Sequence, residues 1–238
     1  MTSCGVFIIR ERLRHRNLTT DPAFGEDMAR IDDYKQALAL GKKELSDKDL
    51  DQIAGYAGAK LHEGEKSHIC LDFLDNEVLI SWPDLEFSYK ENPEKEVSIQ
   101  EKILLLHYLN GAWASKGPAI TGEWISFQEV PDGKFYLDAF HRRAKDPLVR
   151  AFGEKPELLE RLAKKAFQAV PADQGDVSVV VQALPLVPVE LIIWAGDDEF
   201  PPEGNILFDR SIIEIISAED MAWLSGMIVY PLMGMAKG

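Results

Sequence analysis

The chain has 238 residues, 46% of them hydrophobic, which suits a globular protein with its own core. Its formal net charge of −14 repels phosphate backbones, so we do not expect nucleic acid as a partner. The two cysteines, Cys4 and Cys70, are too few for a disulfide framework, a four-cysteine zinc site or an iron–sulfur cluster on this chain.

The first 25 residues are basic and aperiodic, with arginine-rich residues 10–16. This basic run follows the short apolar stretch at residues 6–9, which is the reverse of a secretory signal. No segment reaches the roughly 18 apolar residues of a membrane span. We therefore expect a cytoplasmic protein that does not cross a membrane. Residues 1–25 are predicted to be a disordered extension, either a passive tail or an arm for an acidic partner, and residues 26–238 one globular domain.

Two helices are predicted before residue 60. Apolar residues recur at helical spacing from residue 28 to 38, with Gly41 as a stop, and Ser46 is the predicted cap of the second helix. After residue 60 the spacing of apolar residues changes from helical to alternating. Apolar residues alternate with polar ones over residues 69–73 and 78–82, which predicts a β-hairpin, and residues 85–89 are the candidate third strand.

Ser98 and Glu101 form a capping-box pattern before a strongly apolar segment. Residues 103–109 are apolar around nearly the whole helical circumference, which predicts a central helix near residues 98–112. His107 lies within it. A histidine in this setting is either satisfied by one polar neighbour or acts as a ligand, and we favour the first role.

An aromatic segment with glycine and proline punctuation follows at residues 121–133 and contains Trp124, Ser126 and Glu129. Such segments often line pockets, although packing over the central helix explains the aromatic residues equally well.

The next segment, residues 135–152, is predicted to be a helix broken near Asp146 and Pro147. Arg142 belongs to its basic run, residues 141–145. The default role of this run is to offset carboxylates, and the alternative is an anion site.

Two β-branched runs at residues 177–181 and 189–194 predict a pair of strands, with Pro185 and Pro188 in the bend between them. The second run stops at Gly196 and is followed by Asp197, Asp198 and Glu199. A short strand at residues 205–209 then ends in Asp209. Oxygen-rich loops suit hard divalent cations, but the spacing of a calcium loop is absent, and pairing with arginine is the alternative.

Four blocks of sequence carry a family resemblance. They read ILLLHYL at 103–109, GEWISFQEVP at 122–131, LPLVP at 184–188 with IWAGDDEFP at 193–201, and ILFD at 206–209 with AED at 218–220. In order and spacing, from about residue 34 to 232, the chain resembles the prokaryotic family called domain of unknown function 3786. The resemblance implies no activity. Relatives described as putative iron–sulfur proteins carry a cysteine-rich segment that this sequence lacks, so no cluster is predicted.

We expect an α+β fold, with a mixed or antiparallel sheet packed against several helices. The expected function is a ligand-binding or accessory module for an unknown small ligand or protein, with a pocket framed by the aromatic segment and the acidic loop. The alternative is a metal-assisted hydrolase that uses the acidic-loop carboxylates Asp197, Asp198 and Glu199 together with Asp209 and His107. No resident cofactor or metal is predicted, with a divalent cation as an open alternative. The candidate site residues are Trp124, Ser126, Glu129, His107, Arg142, Asp197, Asp198, Glu199 and Asp209.

Overall fold

The computed structural model describes residues 23–62 and 67–237, with residues 23–31 described by their helical backbone alone. The predicted extension, residues 1–25, therefore falls almost entirely outside the described residues, and only its last three residues belong to the first helix. The division into an extension and one domain stays a prediction.

The α-helices are α1 (Ala23–Leu45), α2 (Leu50–Tyr56), α3 (Ile99–Ser115), α4 (Gly133–Phe140), α5 (Asp146–Phe152), α6 (Pro156–Phe167) and α7 (Ala218–Ala236). Short 3₁₀ helices cover Phe127–Glu129 and Arg210–Glu214, and a π-helical segment covers His141–Lys145. The strands are β1 (Lys60–His62), β2 (His68–Phe73), β3 (Asn76–Ser81), β4 (Phe87–Tyr89), β5 (Trp124–Ser126), β6 (Val170–Ala172), β7 (Val177–Leu184), β8 (Val187–Trp194) and β9 (Glu203–Asp209).

The strands form two antiparallel sheets. The first has the order β1-β2-β3-β4, and the second has the order β5-β9-β8-β7-β6. The predicted hairpin is confirmed, with Leu71 opposite Val78. The backbone amide of Leu74, in the β2–β3 turn, donates to the carbonyl of Ala183 in β7 at 2.8 Å and joins the two sheets. The α+β class is confirmed, with two sheets where one was expected.

The central helix is confirmed as α3. Its capping box is present, because Glu101 accepts a hydrogen bond from the amide of Ser98 while the Ser98 hydroxyl accepts one from the amide of Glu101. The hydroxyl of Tyr108 donates to the carbonyl of Ala57 and accepts from the amide of Leu186. The buried face of α3 thereby joins α2, the β7–β8 turn and one apolar core that includes both sheets.

Two helix boundaries differ from the prediction. Gly41 does not stop α1, which continues to Leu45. The glycine instead permits close packing on α3, since a Cβ at residue 41 would lie 3.1 Å from Cβ of Leu106. The cap of α2 is Asp49, not Ser46, and its side chain accepts from the amide of Gln52 at 2.9 Å.

The interruption predicted near Asp146 and Pro147 is present as a π-helical segment, not as a break in the helical backbone. The backbone stays helical through Lys145, and the amide of Asp146 donates to the carbonyl of His141, the spacing of a π-helical turn. Pro147 is accommodated at the start of α5. The predicted bend also differs, because Pro188 lies within β8 opposite Gln182, beside a register shift.

Candidate functional site

The acidic loop between β8 and β9 is a self-contained turn. One carboxylate oxygen of Asp197 accepts hydrogen bonds from the amides of Glu199 and Phe200, at 2.8 and 2.7 Å. These bonds hold the pKa of Asp197 below its usual value. Asp198 and Glu199 are exposed, and neither forms an ion pair with a cation of the described chain. The three carboxylates do not converge on one centre.

Asp209 is a buried anchor for two loops. It is 1% exposed, and its carboxylate accepts five hydrogen bonds, from the amides of Thr121, Gly122 and Ser211 and from the hydroxyls of Thr121 and Ser211. Burial alone would raise the pKa of this carboxyl, but these bonds hold it below its usual value. Because its carboxylate oxygens are occupied by these bonds, the burial of Asp209 is explained by a structural role.

The aromatic segment lies away from the acidic loop. Trp124 pairs with Asp209 at one end of β9, whereas Trp194, at the edge of the loop, pairs with Glu203 at the other. Six residue steps along a strand span roughly 20 Å. Glu129 accepts from the amide and hydroxyl of Ser126, both at 2.8 Å, and so closes its own turn. The structure therefore does not form the pocket that was expected between these two segments.

His107 has a specific partner. Its Nδ1 lies 2.9 Å from Oδ1 of Asp220, and the other oxygen of Asp220 accepts from the hydroxyl and amide of Ser217 at the start of α7. Burial alone would lower the pKa of His107, but the charge and hydrogen bond of Asp220 raise it above its usual value. Burial would likewise raise the pKa of Asp220, and the same pairing holds it low. The structure supplies the polar neighbour that the sequence required.

A second carboxyl, Glu219, connects this pair to the π-helical segment. Burial and the neighbouring charge of Asp220 raise the pKa of Glu219, whereas the hydroxyl of Tyr136, 3.3 Å away, and the charge of Arg143 favour its ionised form. Arg143 also packs on α7, with its guanidinium carbon 5.1 Å from the ring centroid of Trp223. Arg142, the residue predicted from the sequence, is exposed.

A cleft of about 960 Å³ opens where Arg143 and Trp223 meet. It is bounded by α1, α7, the β2–β3 turn, the start of α3 and the end of α6, and we call it the α1–α7 cleft. The rings of Tyr34 and Trp223 meet edge to face, 5.9 Å between centroids. The aromatic side chains that line it are Tyr34, Phe73, Tyr89, Phe167, Trp223 and Tyr230. The volume is within the range of sites for small molecules, and the cleft is open to solvent.

The cleft has more cationic side chains than carboxylates. Its cations are Lys95, Arg143 and Lys165, and its carboxylates are Asp75 and Glu101. Glu101 already accepts from the hydroxyl of Tyr89 and from the amide of Ser98. The side-chain amide of Asn76 donates a hydrogen bond to the carboxylate of Asp75. The cations are therefore more available to a ligand than the carboxylates.

Other chemistry has little support in the described chain. The thiol of Cys70 is 6% exposed, and burial together with its hydrogen bond to Glu77 raises its pKa to about 11, so it is a poor nucleophile at neutral pH. Within the described residues, 23–62 and 67–237, no three histidine, cysteine or carboxylate side chains are grouped so as to hold a metal ion.

None of the nine residues predicted from the sequence lines the α1–α7 cleft. Arg143 was the nearest available signal, because it belongs to the basic run that the sequence offered as an anion site. The contact between Tyr34 and Trp223 could not be predicted, since the two residues are 189 positions apart and each fits the apolar face of its own helix.

No described helix combines the length and apolarity needed to cross a membrane. Searches of curated proteins and of solved structures return no match to this chain. One family model does match, and it covers residues 49–230, which include α3, both sheets and most of α7. The protein therefore belongs to the family described as domain of unknown function (DUF3786).

Proposed function

We propose that this protein is a ligand-binding module and that its ligand occupies the α1–α7 cleft. The observation that carries the proposal is the cleft itself, about 960 Å³ in volume with aromatic rings along its walls. Most of this lining is apolar, and a few charged groups can orient a ligand. We also place the protein in the cytoplasm, in keeping with its two cysteines and the buried thiol of Cys70.

No observation favours the metal-assisted hydrolase. Its five proposed residues have separate roles in the described chain: Asp197 closes its own turn, Asp209 anchors two loops and His107 pairs with Asp220. Asp198 and Glu199 extend into solvent. A hydrolytic centre needs these groups around one substrate atom, and a binding module does not.

The binding proposal can be tested by filling the cleft. Gly226 lies on α7 in the cleft wall, and a Cβ there would meet other atoms no closer than 3.5 Å, an ordinary contact. Gly226 is buried, and Gly226→Leu is expected to extend its side chain past Arg143 and Tyr230 into the cleft, while leucine improves helix propensity at this position. Gly234→Leu is the matched control in the same helix, because a Cβ at residue 234 meets nothing within 4 Å.

The readout is the fluorescence of N-phenylnaphthylamine, a neutral dye that becomes bright in apolar sites. We expect wild type and Gly234→Leu to bind it with a stoichiometry near one, and Gly226→Leu to bind at least about ten-fold more weakly. Circular dichroism must show that all three proteins are folded. If wild type fails to bind the dye, or if Gly226→Leu binds it as well as the control does, the proposal is wrong.

A further inference from the structure

We propose that the ligand of the α1–α7 cleft is a planar aromatic anion, with an aromatic body against the ring-lined wall and a carboxylate, sulfonate or phosphate group at the cations. This inference rests on the proposed function and names the class of ligand. It follows from three features of the cleft: cations without a direct ion pair, carboxylates that already accept hydrogen bonds, and cations placed over aromatic rings.

The first feature is the state of Lys95, Arg143 and Lys165. No carboxylate of the described chain lies within ion-pair distance of any of the three. The charges of Glu219 and Arg143 interact, but the two side chains form no direct ion pair. In a chain with a formal net charge of −14, three such cations around one cleft form a local site for negative charge.

The second feature is that the carboxylates of the cleft are already in use. Glu101 is held by the Tyr89 hydroxyl at 2.9 Å and by the Ser98 amide at 2.8 Å, as part of the cap of α3. Asp75 accepts from the side chain of Asn76 at 2.8 Å. These groups have their own donors, so they do not need to turn toward Lys95, Arg143 or Lys165. A ligand anion would therefore meet cations that have no direct ion pair with a described carboxylate.

The third feature is the position of the cations over ring faces. The guanidinium of Arg143 lies over Trp223, and Nζ of Lys95 lies 4.6 Å from the ring centroid of Tyr89. A flat ligand that packs against this aromatic wall therefore brings its substituents beside a cation. Arginine is suited to this arrangement because its planar group can stack and still donate two parallel hydrogen bonds to an anion. The two contacts together select a body that is aromatic and a substituent that is anionic.

Two dyes with one aromatic framework provide the test. Anilinonaphthalene sulfonate is N-phenylnaphthylamine with an added sulfonate, so the pair differs in the anionic group. We expect wild type to bind the sulfonate at least about ten-fold more tightly than the neutral dye. The advantage should shrink as sodium chloride is raised from about 50 mM to about 500 mM, because salt screens the ion pairs.

Two pairs of variants locate the anion. Arg143→Gln and Lys165→Gln should each weaken binding of the sulfonate about three- to ten-fold and leave the neutral dye unchanged. Arg142→Gln and Lys164→Gln are the matched controls, since both side chains are exposed and neither lines the cleft. Lys165 is itself exposed, so its variant is expected to fold even where loss of the Arg143–Trp223 contact affects stability.

The outcomes separate the two proposals. If both dyes bind with equal affinity and the cation variants change neither, the aromatic-anion inference is wrong and the binding module stands. If the neutral dye does not bind folded wild type, the binding module is wrong and the inference that rests on it is wrong as well. If sulfonate binding is tight but the controls lower it as much as Arg143→Gln and Lys165→Gln do, the anion lies elsewhere and the inference is wrong.

Discussion

The carboxylate of Asp209 accepts five hydrogen bonds at 1% exposure, so its removal leaves the donors of two loops without an acceptor. We expect Asp209→Ala to lower the free energy of unfolding by about 3 kcal/mol. Denaturant unfolding followed by circular dichroism measures this loss. Asp198→Ala, at an exposed position of the acidic loop, should stay within about 0.5 kcal/mol of wild type. Equal stability of the two variants would contradict the structural role of Asp209.

The pair of His107 and Asp220 gives stability a defined dependence on pH. Asp220 has a lowered pKa, so its contribution is present above the unfolded value of about 4 and is lost as pH falls through the folded value. His107 has a raised pKa, so its contribution is complete below the unfolded value of about 6.5 and is lost as pH rises through the folded value. The ion pair therefore contributes most between these limits.

We expect the melting temperature of wild type to fall by about 2–4 °C between about pH 6 and pH 9 as His107 loses its proton, and His107→Gln to lack this part of the slope. Differential scanning calorimetry at several pH values measures the effect. His141→Gln, outside the ion pair, is the control and should keep the wild-type slope. An unchanged slope in His107→Gln would show that the pair does not contribute in this way.

Helix α3 approaches the 3₁₀ turn before α7 so closely that only glycine fits at residue 111. A Cβ at this position would collide with the carbonyl of Ile215. We expect Gly111→Ala to destabilise the protein by about 2–4 kcal/mol, because neither backbone can move without disturbing the core. Gly55→Ala in α2 is the matched substitution, since a Cβ there meets nothing within 4 Å, and it should stabilise by about 0.5–1 kcal/mol. Chemical denaturation of both variants tests the contrast.

At the scale of elements, the sequence predicted what depends on neighbours along the chain. The capping box of Ser98 and Glu101, the apolar circumference of α3 and the alternation of the hairpin are local signals, and each is confirmed. Two of the errors involve distant packing. Gly41 is helical because α1 approaches α3, and β6 was missed because its three residues, with Pro171 at the centre, form a strand only through pairing with β7.

For the whole molecule, the candidate site was much less predictable than the fold class. The α1–α7 cleft is lined by residues from Tyr34 to Met235, and no periodicity or motif relates such distant positions. The partner of His107 is likewise 113 residues away. The chemistry of the basic run at 141–145 was visible in the sequence, but the choice of Arg143 over Arg142 depends on which side of the π-helical segment faces α7.

One apolar core connects both sheets with α3 and α7, which bears on the predicted single domain. We expect the described chain to unfold in one cooperative transition, with coincident midpoints by far-ultraviolet circular dichroism and tryptophan fluorescence. The fluorescence reports on both sheets, because Trp82 follows β3 and Trp124 begins β5. Two separate midpoints would contradict a single cooperative unit.

The edge-to-face contact of Tyr34 with Trp223 has a consequence for how the protein is made. The ribosome synthesises α1 early and α7 nearly two hundred residues later, so the cleft lacks one wall during most of synthesis. A nascent chain that ends before residue 223 lacks Trp223, one of the rings that line the cleft. Ligand capture is therefore expected only after translation has passed α7, and a small molecule present in the cell cannot guide the earlier folding steps.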